Sequence, residues 1–424
     1  MTFEFSKSWT ANADQNDPLK KYRDQFIIPQ HKEEPTVYFT GNSLGLQPKE
    51  AANALKQELD DWGKFGVEGH FEAKNPWYSY HEMFAEPLAS LVGAQPQEVV
   101  AMNGLTTNLH LLMVSFYRPS SKKYKIICEG KAFPSDQYAL ESQVRFHGYD
   151  PDDAIIEIFP REGEHILRTE DVLETIEANA EEACLLMIGG VNYYTGQVHD
   201  MKTITAHAKS KGLVVGWDLA HGVGNVSIDL HDWGVDFAAW CSYKYLNSGP
   251  GSVSGVFVHE RHLKNKDLPR FAGWWGHDKD SRFLMEKGFN PIPSAEAWQL
   301  SNAPVLAMAV HKIALDIFME AGLQNLREKS EKLTGYLEFV IQEVSQLSDK
   351  VKFEIITPEE VNQRGCQLSI LCHGQGKALF EELTNKGVVA DWREPNVIRI
   401  APVPLYNSFS DVYKFGEHLK NSIQ

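Results

Sequence analysis

Leu213-Val214-Val215-Gly216-Trp217-Asp218 is an apolar run that ends in an acid, and a second run, residues 235–240, leads into Cys241-Ser242-Tyr243-Lys244-Tyr245. Each run is short and apolar, the pattern of a buried strand. A helical pattern over 201–211 precedes the first and is stopped by Gly212, where a left-handed cap suits glycine. Outward from this centre the alternation continues. Strands are predicted at 124–128, 154–159, 184–188 and 252–258, with helices over 135–146 and 170–179. Apolar runs alternating with amphipathic helices build a mostly parallel sheet. In such sheets ligands collect outside the carboxyl ends of the strands, which is where Asp218 and Lys244 stand.

An acid closing one strand and a lysine just past the next meet the requirements of pyridoxal phosphate chemistry. A lysine amine condenses with the cofactor aldehyde as a Schiff base. A carboxylate keeps the pyridine nitrogen protonated, so that the ring accepts electrons. The pair makes the chain an enzyme candidate.

At 424 residues the chain is too long for one ordinary core, so two domains are expected. A net charge of −16 argues against nucleic-acid or anionic-membrane partners. No apolar stretch is long enough to span a membrane, and the N-terminus lacks the apolar core of a signal peptide. Cys128, Cys184, Cys241, Cys366 and Cys372 are scattered without CxxC pairs, which reads as reduced thiols in a cytoplasmic protein. Residues 305–321 form a long apolar helix pattern that links a large domain, 61–320, to a small α+β domain, 321–424. In the latter, strands are expected at 351–356, 367–371, around 388 and at 397–400, with helices at 376–386 and from about 410. Residues 1–60 are placed beside the small domain.

Asn103-Gly104-Leu105-Thr106-Thr107-Asn108 precedes an apolar helix, 109–116. Backbone N–H groups and the dipole at such a start favour a phosphate on Leu105 and Thr106; simple capping by Thr106 or Thr107 is the alternative. Phe133-Pro134-Ser135-Asp136 opens the next helix, where Phe133 can stack on a pyridine ring and Ser135 or Asp136 can reach the cofactor or merely cap the helix. His221, three residues past Asp218, can buttress that acid or touch the cofactor oxygen. A metal reading of Asp218 and His221 has little support, because no HExxH or Cys/His cluster accompanies them. Tyr243 can hold a phosphate or shuttle a proton. Gly273-Trp274-Trp275-Gly276-His277 and the segment ending in Asn302 look like pocket walls or an oligomer interface. Arg399 interrupts an apolar strand, where it either clamps a carboxylate or forms a structural ion pair with Asp391 or Glu394.

Residues 39–48 (Phe-Thr-Gly-Asn-Ser-Leu-Gly-Leu-Gln-Pro), Gly69-His70, 103–110, 132–136, Tyr194-Thr195-Gly196-Gln197, 218–225, 231–237, 241–247, 274–277 and 399–409 resemble the kynureninase family over nearly the whole chain. The resemblance implies the type I pyridoxal-phosphate transferase architecture: an α/β fold with a mostly parallel seven-stranded sheet and a smaller α+β C-terminal domain. It implies a homodimer acting in tryptophan catabolism and pyridine nucleotide biosynthesis. The implied reaction hydrolyses L-kynurenine, or its 3-hydroxy form, to anthranilate or 3-hydroxyanthranilate and L-alanine. By motif, Lys244, Asp218 and Tyr243 would be catalytic. Leu105, Thr106, Phe133, Pro134, Ser135, Asp136, His221, Trp274 and Asn302 would surround the cofactor. Arg399, Ser43, His70 and Asn302 would face the substrate, and some of His221, Trp274 and Asn302 would act across the dimer. Gly189-Gly190 departs from the family pattern, since a serine is expected there in some relatives. A cysteine desulfurase or aminotransferase is the nearest rival, and a desulfurase needs an exposed, mobile cysteine. A catalytically idle binding protein would be marked by loss of Lys244 or Asp218, and both are present.

Overall fold

The computed structural model describes residues 2–347, 351–374 and 376–423. Strand Val214–Asp218 lies in the middle of a seven-stranded sheet. From one edge the order is Val99–Met102, Ser254–Val258, Phe237–Trp240, Val214–Asp218, Ala183–Gly189, Lys125–Glu129 and Ile155–Ile158. Ser254–Val258 runs antiparallel to both its neighbours, and the other pairings are parallel. The mostly parallel α/β sheet read from the sequence is therefore present. Its edge strand Val99–Met102 escapes sequence reading, because a four-residue run carries no measurable period.

Successive side chains point to opposite faces of a strand. Val215, Trp217, Leu186, Ile188, Ala238 and Trp240 pack on one side of the sheet, and Leu185, Met187, Phe237, Ala239 and Val256 on the other. Both faces are dry, which is why these strands read as unbroken apolar runs. Packing leaves no space at two positions. A Cβ on Gly216 would sit 2.2 Å from the Phe237 ring, and one on Gly255 would sit 2.1 Å from the Trp240 indole.

A second, antiparallel sheet has the order Lys352–Ile355, Leu368–His373, Val397–Ile400 and Asp391–Arg393. Helices Leu323–Ser345 and Phe409–Ile423 pack together beside it. The N-terminal segment joins this half: Val37–Tyr38 pairs with Val388–Val389, and Trp9 stacks on Tyr336 at 4.7 Å.

The segment after strand Ala183–Gly189 is held by this smaller sheet. Gln367 Nε2 and Arg399 Nη1 donate to the Tyr193 carbonyl at 3.1 and 2.6 Å. Ser369 Oγ donates to the Tyr194 carbonyl at 2.6 Å, and Thr357 Oγ1 to that of Thr195 at 2.5 Å. These bonds place Tyr193 over the carboxyl ends of the large sheet.

His311, on helix Val305–Ala321, is wholly buried and stacks on Phe84 at 5.2 Å, with Nδ1 2.6 Å from Ser248 Oγ. Burial pulls its pKa down to about 3. The ring is neutral when folded, whereas in the unfolded chain it protonates at roughly 6.5. Its stabilising effect is complete above that value and is lost as pH falls toward the folded-state value, by about 1.4 kcal/mol per pH unit. For His311→Asn, we expect a melting temperature below the parent's at neutral pH and a gap that narrows steadily on acidification. A gap independent of pH would contradict this.

Candidate active site

Asp218 pairs with Ala239 at the carboxyl end of two parallel strands, and the chain leaving the second strand at Trp240 turns to present Lys244. Between them lies a cavity of about 240 Å3. Among the residues read from the sequence, Leu105, Thr106, Phe133, Ser135, Asp136, Asp218, His221, Tyr243 and Lys244 line it. Lys244 Nζ is 3.0 Å from His221 Nε2 and 5.9 Å from the Phe133 ring centroid. Burial, then the charge of Lys244, holds His221 well below its ordinary pKa. The imidazole is thus neutral and accepts a hydrogen bond from the lysine.

Asp218 is 7% exposed, and its Oδ1 accepts from the Ala220 N–H at 2.6 Å. Burial raises its pKa, while Asp136, the Ala220 N–H and Lys244 oppose the rise. Asp136 is raised much further, by burial and by the charge of Asp218 to which it is hydrogen-bonded. Two carboxyls in contact away from water cannot both ionise cheaply. Asp136 keeps its proton and donates it to Asp218, which carries the charge. Asp136 Oδ1 and His221 Nδ1 are buried and find no partner among the described residues.

Helix Leu105–Phe116 opens at Gly104, whose extended backbone (φ −102°, ψ 160°) offers no side-chain cap. Asn103 ahead of it has φ +48°, a left-handed conformation that asparagine tolerates, and its amide donates to Asn108 Oδ1 at 3.1 Å. The first N–H groups of a twelve-residue helix therefore face the cavity wall bare. Tyr243, on the same wall, is raised by burial and stays a phenol.

The remaining sequence candidates lie elsewhere in this single chain. Pro134 fills the first position of helix Pro134–Phe146. Arg399 is 1% exposed and stands behind Tyr193, bonded to its carbonyl and to Asp391. The ion pair with Asp391, one of the alternatives open from sequence, is formed. Ser43 and Asn302 are exposed, His70 is partly so, and Trp274 is 49% exposed.

Glu129, Val191, Tyr193 and Ala220 also line the cavity and were not read as site candidates. Glu129 carries the same signal as Asp218, an acid closing an apolar strand. It is buried and accepts from Asn192 Nδ2 at 2.9 Å. A Cβ at Gly189 would lie 2.8 Å from Glu129 Oε1, so glycine at the departing position makes room for this carboxylate. Tyr193 meets Phe133 edge-on at 5.3 Å.

Residues 37–370 match the profile of aminotransferase class-V, and residues 326–419 that of the kynureninase C-terminal domain. The chain is 56% identical to a kynureninase of Flavobacterium psychrophilum, with 100% of this chain and 99% of the relative covered. It is 57% identical to one from Christiangramia forsetii over the same shares, and 50% identical to one from Nematostella vectensis, covering 97% of this chain and 92% of that one. Among solved structures, the apo cysteine desulfurase of Thermococcus onnurineus superposes with a TM-score of 0.74 at 16% identity, over 97% of this chain and 98% of that chain. The cysteine desulfurase CsdA of Escherichia coli gives 0.75 at 16%, over 95% and 98%. At that identity they speak for the fold alone, which is shared over nearly the whole chain; the chain's own sequence says more, and it belongs to the kynureninase family.

Proposed function

We propose that this chain hydrolyses the Cβ–Cγ bond of L-kynurenine or 3-hydroxy-L-kynurenine, releasing anthranilate or 3-hydroxyanthranilate and L-alanine, with pyridoxal phosphate held at Lys244. The observation that carries the reading is a lysine amine inside a cavity bounded by a buried carboxylate and by an uncapped helix start. The donor set fits the cofactor. Bare N–H groups at Leu105 and Thr106 suit a phosphate. The Asp218 carboxylate suits a protonated pyridine nitrogen, and the Phe133 ring suits a flat aromatic face. His221 Nδ1 and Asp136 Oδ1 are polar atoms awaiting partners.

When bound, the cofactor supplies an aldehyde carbon for the substrate amine and a ring that takes up electrons from the substrate's α-carbon. The chain's residues do the rest. Lys244, once released, takes the proton from Cα, and the neutral His221 3.0 Å away gives the freed amine a hydrogen-bond acceptor. Asp218 keeps its charge through the Ala220 N–H and the Asp136 proton, and so holds a proton on the pyridine nitrogen. Tyr243, a phenol lining the cavity, is assigned as the proton donor to the product's Cβ. Arg399 receives the α-carboxylate. Water adds to the γ-carbonyl, and breaking the Cβ–Cγ bond releases the aryl fragment as a carboxylic acid while Cβ takes the proton.

Ser43, His70 and Asn302 are assigned to the aryl end, and Trp274 to the cofactor pocket, of a neighbouring subunit's site in a homodimer. An exposed aromatic patch supports this: Phe71 stacks on Tyr78 at 5.9 Å, Tyr78 on Phe283 at 6.0 Å, and Phe283 meets Trp274 at 5.4 Å. Phe71, Phe283 and Trp274 are 61%, 55% and 49% exposed, an unusual concentration of bare aromatic surface. The proposed division is a large domain over 61–320 with 1–60 and 321–424 forming the smaller half. Its five free cysteines fit a cytoplasmic setting, and among the described residues no helix is long and apolar enough to cross a membrane.

A desulfurase reading, favoured by fold alone, meets an obstacle. Cys366 and Cys372 are both 1% exposed, and burial pushes both thiols up to about 12, so neither offers a nucleophilic thiolate.

Lys244→Ala should stop turnover and abolish the borohydride-reducible visible chromophore of the purified protein. Normal turnover in that variant would rule out the assignment. Arg399→Ala should raise KM for kynurenine by roughly ten- to a hundredfold, the loss of a charged hydrogen bond of about 1.5–3 kcal/mol. An unchanged KM removes its carboxylate role.

A further inference from the structure

Arg399 does not stand alone. On the antiparallel strands Asp391–Arg393 and Val397–Ile400, Asp391 lies directly opposite Arg399, and Arg393 opposite Val397. Residues facing each other across a strand pair share a face of the sheet, so the register builds the Arg399–Asp391 ion pair into the fold. Arg393 reaches the same carboxylate, with Nη2 3.4 Å from Asp391 Oδ2.

Charge arithmetic gives this arrangement a meaning. Arg399 and Asp391 alone would be neutral, and Asp391 would repel an arriving carboxylate. With Arg393 sharing Asp391, the cluster carries one surplus positive charge, which a single carboxylate cancels. The Nε–H groups of both arginines are buried and have no acceptor among the described residues. Arg393 also lines a second cavity, about 500 Å3, which shares Glu129 and Tyr193 with the first. Both guanidinium charges act on His221 beside Lys244, which places the cluster within electrostatic range of the reacting amine.

We propose that Arg393 is a specificity-determining residue: by sharing Asp391 with Arg399, it leaves the pair a net charge for the substrate's α-carboxylate. The proposal rests on the reading of Arg399 as the carboxylate holder, and it adds that the holder is a three-residue cluster selective for a monocarboxylate. Removing Arg393 acts twice in one direction. It deletes a positive charge, and it commits Asp391 wholly to Arg399.

The test compares Arg393→Gln and Arg393→Lys with the parent enzyme, and with Arg399→Ala, using kynurenine as substrate and its decarboxylated amine as competitive inhibitor. Arg393→Gln should raise KM about fivefold, the effect of a half-exposed charge, with kcat and melting temperature unchanged. Inhibition by the amine lacking the carboxylate should be unaffected, and Arg393→Lys should restore most of the lost affinity. If Arg399→Ala raises KM while Arg393→Gln does not, the cluster proposal is overturned and the carboxylate reading of Arg399 survives. If Arg393→Gln weakens the decarboxylated inhibitor equally, the arginine only shapes the cavity and the proposal also fails. Insensitivity of KM to both changes removes the Arg399 reading itself.

Discussion

The arrangement depends on keeping one carboxylate charged where water is excluded. Asp218 sits at the end of a strand whose neighbours on both sides are part of a dry sheet. An isolated charge there would cost several kcal/mol and would be quenched by protonation. The backbone turn at Ala220, the protonated Asp136 and the lysine beyond the next strand together offset that cost. Each comes from a different element, so the charge at Asp218 is a property of the assembled sheet. That explains why cofactor chemistry of this kind sits at strand ends, where several backbone N–H groups and side chains converge.

Sequence reading succeeded where the determinant is local. Asp218 and Lys244 each close or follow a strand that is recognisable by its own apolar run, and the glycine stop at Gly212 sits in the left-handed region with φ +78°. It failed where the determinant is spatial. Tyr193 reaches the cavity because bonds from the smaller sheet hold its carbonyl, and nothing near Tyr193 in the sequence announces Ser369 or Gln367. Glu129 could have been found by applying to Lys125–Glu129 the rule used for Asp218. The pair of Arg399 with Asp391 was open from sequence only as one of two possible partners, because choosing between Asp391 and Glu394 requires the strand register. Ser43, His70, Trp274 and Asn302 carry recognisable motifs, yet they lie away from the cavity of this single chain.

The comparison with desulfurases separates scaffold from chemistry. A TM-score of 0.74 at 16% identity means the same strands in the same order can be built from largely different residues. What differs is the surroundings of particular side chains. Here the Cys366 sulfur lies 3.1 Å from Asn225 Oδ1, and the same amide oxygen takes the Cys366 N–H at 2.9 Å. The thiol serves as part of the seam between the Asp218 turn and the smaller sheet. Its burial and its bonding leave it no freedom to travel toward a substrate.

The strap carrying Tyr193 is fastened at both ends to different bodies. On one side Asn192 grips Glu129 and the Gly190 N–H reaches the Asp218 carbonyl at 2.7 Å; on the other, Thr357, Gln367, Ser369 and Arg399 hold the carbonyls of Tyr193, Tyr194 and Thr195. Hinging the two sheets apart would have to rupture one row of these bonds, at about 1 kcal/mol apiece. The roof of the cavity therefore behaves as a tie-beam. It keeps the distance between Phe133 on the cavity wall and Arg399 behind Tyr193 fixed.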